Sequence, residues 1–388
     1  MASSILSLKK WLPPRFVFSL VLVISSFLSV ISSAYPNILS TCKFDAIYQL
    51  GDSISDTGNF IQENPSSVFS RLPYGETFFK KATGRCSDGL LMIDYLALSA
   101  EIPFLDAYLS KDGLFDHGVN FAVAGATALS EKDLTRKNVS FVPINRSLSQ
   151  QLDWMFSYFN RTCHSDKDCF KKNERAFFMV GEIGGNDYNY AFLKGKTLEE
   201  VKPLVLDVVQ TLKYAVKRVI RYGATRLVVP GNFPIGCFPV YLTKFQTNDT
   251  TAYDELHCLK ELNNFSIYHN DLLQQAIDEL KEEHPNVVIV YGNYYNAFRW
   301  ILSEANLLGF DPTSLQKACC GIGGEYNFDL SRMCGDPEVT LCLNPNERLS
   351  WDGIHLTQRA YELMATWLIH DIYPQLQCEY IVSYSSAL

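Results

Sequence analysis

Apolar residues along this chain fall into two alternating patterns. Short, nearly unbroken runs rich in β-branched and aromatic residues lie at Phe44–Leu50, Val119–Val123, Ala176–Val180, Arg226–Val229 and Val287–Tyr291, and runs of this kind read as strands buried on both faces. Between and after them apolar residues recur every three or four positions. That spacing predicts helices over Asp88–Ala100, Leu148–Phe159, Leu198–Arg221, Tyr253–Glu283, Tyr294–Glu304 and Thr357–Ile372. The Leu198–Arg221 stretch aligns Val201, Leu204, Val205, Val208, Val209, Leu212, Val216 and Ile220 in one stripe, which belongs in a core. Strand and helix alternating in this way imply an α/β fold, a parallel sheet flanked by helices. No linker and no internal repeat divides the chain, so a single domain is expected over residues 35–388. Two excursions, near 130–146 and 317–346, interrupt the alternation and are expected to shape the mouth of a site.

The first 34 residues follow another logic. Lys9, Lys10 and Arg15 precede an apolar run from Phe16 to Ile31, and Ser32-Ser33-Ala34 offers a small-residue cleavage point. The run is broken by serines and falls short of the roughly 20 apolar residues of a membrane span, so residues 1–34 read as a signal peptide. Beyond them the formal charge is −11 against −8 for the whole chain. That acidity speaks against nucleic acid or an anionic membrane as a partner.

A secretory route changes the meaning of the cysteines, all 11 of which lie beyond Ala34, because disulfides persist there. Closeness in sequence suggests Cys163 with Cys169, Cys237 with Cys258, and Cys319 or Cys320 with Cys334 or Cys342, while a Cys42–Cys378 bond would tie the two ends together. An odd count leaves at least one thiol free. No zinc-type ligand spacing accompanies them, and no metal is expected. Five N-x-[S/T] words, at Asn138, Asn145, Asn160, Asn248 and Asn264, are candidate glycosylation sites.

Four words carry the candidate chemistry. Gly51-Asp52-Ser53 ends the first strand run, where the carboxyl edge of a parallel sheet collects ligands, and it reads as a turn into a helix whose N-terminus would face an anion. Asp352 and His355 stand three apart before the last helix, a spacing that lets a carboxylate orient an imidazole toward a hydroxyl. Asn186 follows Gly184-Gly185 after the third strand, and Gly125 follows the second. Their amide and backbone N–H groups, with the N–H of Ser53, make a candidate oxyanion hole. Taken singly, each word has an ordinary reading as a cap or a turn. Together they supply a nucleophile, a base, its orienter and oxyanion donors.

With these residues in view, the chain resembles the GDSL (SGNH) hydrolase family and its secreted plant branch. Gly51–Asn59, Gly118–Gly125, Gly184–Asp187 and Trp351–Leu356 are similar to the family's ordered blocks, and Leu72–Phe78 and Gly84–Gly89 resemble the subgroup containing acetylajmalan esterase and sinapine esterase. Phe60 departs from the pattern, standing where many relatives have a second Asn; the expected effect is on local packing alone. The resemblance implies a flavodoxin-like three-layer α/β/α fold with a five-stranded parallel sheet. It also implies Ser53, Asp352 and His355 as catalytic residues, Ser53, Gly125 and Asn186 as the oxyanion hole, and no cofactor. The expected function is that of a secretory-pathway esterase, extracellular or vacuolar and monomeric, removing a short acyl group, chiefly acetyl, from a soluble specialised metabolite such as an alkaloid or glycoside. An acyltransferase using the same site and a non-catalytic binding glycoprotein are the alternatives.

Overall fold

The computed structural model describes residues 36–139 and 146–378. The expected signal segment and Asn145 lie outside them. A compact unit begins at Asn37, and its centre is a sheet of five parallel strands: β1 (Ala46–Leu50), β2 (Gly118–Asn120), β3 (Ala176–Val180), β4 (Arg226–Pro230) and β5 (Val288–Gly292), ordered β2-β1-β3-β4-β5. Register pairs Ile47 with Gly118 and Phe177, Phe178 with Leu227, and Leu227 with Ile289. Every residue of β1, β2 and β3 is buried. This accounts for runs without alternation, since helices cover both faces.

One group of packed helices comprises Leu148–Thr162, Leu204–Arg221 and Lys260–Glu283; the other comprises Met92–Ser99, Tyr294–Ser303 and Gln358–Ile372. The apolar stripe between Leu198 and Arg221 is buried as expected except at Ile220, which is half-buried, but the helix is not continuous. Leu198–Val201 ends before Pro203, which stands as the N-cap of Leu204–Arg221, because proline cannot donate into a preceding turn. The expected helix from Tyr253 likewise starts only at Lys260. Asp254 Oδ1 accepts the N–H groups of Leu256 and Cys258 and Cys258 is bonded to Cys237, so this segment is folded into a turn first. Strand β2 stops at Asn120 rather than Val123, where Asn120 Oδ1 takes the Ala122 N–H and turns the chain. Short helices at Asn59–Glu63, Glu131–Arg136, Asp166–Asn173, Gly185–Leu193 and Pro239–Lys244 carry too few turns to show a period.

Five disulfides form among the described cysteines. Cys42–Cys378, Cys163–Cys169 and Cys237–Cys258 match the expected pairs, and the open choice resolves as Cys319–Cys342 and Cys320–Cys334. Cys86 is free and buried. A buried ion pair joins Arg85 to Asp94 through two bonds of 2.7 and 2.8 Å, with the guanidinium 4.7 Å from the centre of the Phe79 ring.

Candidate active site

Ser53 and Gly125 come from the loops that leave the carboxyl ends of β1 and β2, Asn186 from the first turn of the helix Gly185–Leu193 that follows β3, and Asp352 and His355 from the loop before Thr357, the N-cap of the last helix. His355 Nε2 lies 2.8 Å from Ser53 Oγ, and its Nδ1 lies 2.7 Å from Asp352 Oδ2. All three side chains are buried. Asp352 also accepts the backbone N–H groups of Ile354 and His355 at Oδ1 and the Tyr74 hydroxyl at Oδ2, 2.9 Å away. Burial alone would raise its pKa, but the charge of His355 and these hydrogen bonds hold it below the ordinary carboxylate value.

Ser53 is not at a helix N-terminus. It occupies a turn closed by the Ser55 and Asp56 N–H groups on the Asp52 carbonyl, and the next helix begins only at Asn59. Side chains hold this turn in place instead. Gln151, reaching in from the Leu148–Thr162 helix, accepts the Gly51 N–H at 2.9 Å and donates to the Gly51 carbonyl at 2.7 Å. Asp56 accepts four backbone N–H groups, from Gly58, Asn59, Phe60 and Ala124, so the Ser53 turn and the Gly125 turn share one carboxylate. Burial still pushes Asp56 up to about 6. Asp187, beside Asn186, accepts the N–H groups of Ala128 and Leu129 and ties the third loop to the second.

Among the described residues, the N–H groups of Ser53 and Gly125 donate to no protein acceptor, and Gly125 turns through a positive φ of 79°, a region glycine enters without strain. The Asn186 amide is differently placed. Its Nδ2 donates to Ala126 O at 2.9 Å and to Asp52 Oδ2 at 3.1 Å. Its orientation follows from Oδ1, which accepts from Asn189, itself receiving the Tyr241 hydroxyl. Burial pushes Asp52 up to about 7, opposed by the Ile54 N–H and the charge of His355.

The two words at 72–89 turn out to brace the His355 loop. Tyr74 bonds Asp352, Ser87 donates to the Leu356 carbonyl at 3.0 Å, and Asp88 accepts the Gln358 N–H at 2.6 Å. Phe60, expected to affect only local packing, lines the cavity at Ser53 and stacks edge-on with Phe69, whose ring meets the His355 imidazole at 5.9 Å. No described residue of 130–146 or 317–346 lines that cavity, contrary to the expectation for these excursions. The second acts from below: Phe328 fills the space where a Cβ on Gly353 would sit. Of the glycosylation candidates, Asn138, Asn160, Asn248 and Asn264 are exposed.

Residues 47–368 match the GDSL-like lipase/acylhydrolase family. Acetylajmalan esterase 1 of Rauvolfia serpentina is 45% identical over 87% of this chain and 89% of its own, and a GDSL esterase/lipase of Arabidopsis thaliana is 41% identical over 92% and 97%. The chain belongs to the GDSL-like lipase/acylhydrolase family. As a GDSL esterase/lipase it is a carboxylic ester hydrolase, and its parallel five-stranded sheet with flanking helices is the three-layer α/β/α arrangement of that family. A solved α/β hydrolase from the Lake Arreo metagenome overlays with a TM-score of 0.38 at 14% identity, too loosely to bear on the site.

Proposed function

We propose that this GDSL esterase cleaves a short-chain ester, chiefly acetyl, of a soluble small metabolite through an acyl-enzyme on Ser53. The observation that carries the reading is the unbroken relay Asp352–His355–Ser53, with contacts of 2.7 and 2.8 Å. In this reading His355 Nε2 takes the Ser53 proton as Oγ attacks the ester carbonyl. The N–H groups of Ser53 and Gly125 receive the oxyanion, and Asn186 turns toward it the amide hydrogen that rests against Asp52. The leaving alcohol collects the proton from His355; water then attacks the acyl group by the same route and frees the acid. Preference for acetyl draws on the acetylajmalan esterases among the relatives.

A secretory destination is part of the proposal. Five disulfides among the described residues support it, as do four exposed N-x-[S/T] asparagines. Among the described residues no helix is long and apolar enough to cross a membrane.

The test is hydrolysis of a chromogenic acetyl ester by the full chain and by Ser53→Ala and His355→Ala. Losses of at least about 10³-fold in kcat are expected for both, with a fluorophosphonate labelling Ser53 only in the unsubstituted protein. Turnover by Ser53→Ala at the full rate would overturn the reading.

A further inference from the structure

The cavity at Ser53 has two unequal lobes. The larger, about 220 Å³, is walled by Phe60, Phe69, Phe192, Leu193 and Val240, and His355 and Gly125 also line it. The smaller, about 50 Å³, runs from Ser53 toward the loops after β3 and β4, between Ile54, Phe233 and Phe238, and reaches Glu182 and Asn232. His355 and Gly125 line the first lobe and not the second.

We propose that the large lobe receives the alcohol part of the ester and the small lobe its acyl group, with Glu182 and Asn232 as a polar end wall limiting the acyl chain to two or three carbons. The inference rests on the esterase reading above and adds to it which part of the substrate goes where. Proton delivery decides the orientation. The leaving oxygen takes its proton from His355 Nε2, so the alcohol departs on the imidazole side, which is the large lobe. The carbonyl oxygen faces Gly125 and Asn186. The remaining substituent, the acyl chain, points to the lobe that neither His355 nor Gly125 enters.

Size and polarity then set the chain length. At about 50 Å³ against about 220 Å³, the small lobe has room for the shorter part of the ester, an acetyl or propionyl chain. The far wall is unsuited to hydrocarbon. Glu182 Oε1 and Asn232 Nδ2 are buried and have no hydrogen-bond partner among the described residues. An alkyl chain driven against them offers neither group a partner and leaves both unpaired, whereas a short chain leaves room for a polar molecule beside them. Burial and the nearby Asp52 raise the Glu182 pKa well above the ordinary value, which disfavours its charged form beside the Asn232 amide. The large lobe imposes no such limit, and its aromatic lining suits a bulky apolar alcohol.

The experiment compares kcat/KM for p-nitrophenyl acetate, butyrate and octanoate, and separately for acetates of methanol, benzyl alcohol and naphthol. The full chain is expected to lose at least tenfold from acetate to butyrate and more to octanoate, while the acetates improve with alcohol size. Asn232→Ala, which lengthens the small lobe and removes its amide, is expected to raise the butyrate-to-acetate ratio at least fivefold, with a melting curve to verify folding. Should that variant not fold, the two series on the unsubstituted protein decide. Ser53-dependent turnover that is equal for, or favours, butyrate and octanoate overturns the lobe assignment and leaves the esterase intact. Absence of any Ser53-dependent turnover overturns the esterase reading and this inference with it.

Discussion

The Nδ2 of Asn186 stands 3.1 Å from Asp52 Oδ2 while its other hydrogen is held by Ala126 O. The amide is therefore held in one pose before substrate arrives, in part by a carboxylate whose other oxygen accepts the Ile54 N–H at 2.9 Å. The Asp of the Gly-Asp-Ser word thus positions the Asn186 amide, the donor assigned to the oxyanion in the function proposed above.

Asp52→Asn tests this alignment. An asparagine in either orientation sets an N–H group against a donor, at Asn186 or at Ile54. The expected outcome is a fall in kcat of roughly 10–100-fold, since loss of one oxyanion donor costs about 10²–10³, with KM changed less than threefold. Steady-state kinetics on an acetyl ester check it; a KM effect without a kcat effect would place Asp52 in substrate binding instead.

Tyr74 donates to the Asp352 oxygen that also faces His355 Nδ1. Tyr74→Phe removes one of four donors to that carboxylate and leaves the imidazole contact. A kcat decrease of about tenfold is expected, because hydrogen bonds to ionised groups are among the stronger ones, with no change in fluorophosphonate labelling of Ser53 at saturation. An unaltered kcat would reduce Tyr74 to packing against Trp351.

Stability hinges on the buried Arg85–Asp94 pair. Asp94→Ala strands a guanidinium in the interior and is expected to cost about 3–5 kcal/mol, whereas the double change Arg85→Met with Asp94→Leu costs less than the single one. Urea unfolding of the three proteins measures both.

A pH-dependent stability term comes from His269, buried with its Nδ1 2.7 Å from the Tyr188 hydroxyl and lowered by that burial to about 4. A depressed folded value means that its contribution is complete above the ordinary imidazole range and lost as pH falls toward 4, on the order of 3 kcal/mol in all. Asp56 and Asp187, raised by burial to about 6 and about 7, act with opposite sign: their contribution is complete below the ordinary carboxylate range and lost as pH rises through those values. His269→Gln carries no such ionisation, so its melting-temperature deficit relative to the unsubstituted protein should narrow between pH 7 and 4.5. A deficit independent of pH would contradict a titrating His269.

How much of this was legible beforehand follows from the range over which each signal acts. Strand runs such as Ala176–Val180 and long stripes such as that of Leu204–Arg221 report burial on whole faces, and they located the sheet and its largest helices. Local chemistry was harder to read. Pro203 and the Asp254 turn cut helices whose apolar spacing ran on unbroken, and Ser53 occupied a side-chain-braced turn where a helix start was expected. The meeting of Ser53, His355 and Asp352 was readable because their words stand in a characteristic order. Asp56 and Asp187 lay inside those words, but their roles in joining loops are contacts between segments, which spacing does not encode. Gln151 had no local signal at all: a glutamine on an amphipathic helix looks the same whether it meets solvent or clamps Gly51. Phe60 was seen as a departure, but its place on the cavity wall depends on Phe69 and His355 meeting it in space.

The Cys42–Cys378 bond joins positions 336 residues apart in sequence, so the described domain is a covalent ring. A protease that cuts one exposed loop would leave both pieces attached to each other. Such a nicked molecule would migrate as a single species in denaturing gels without reductant and divide into two fragments only after reduction, so its integrity must be judged with reductant present.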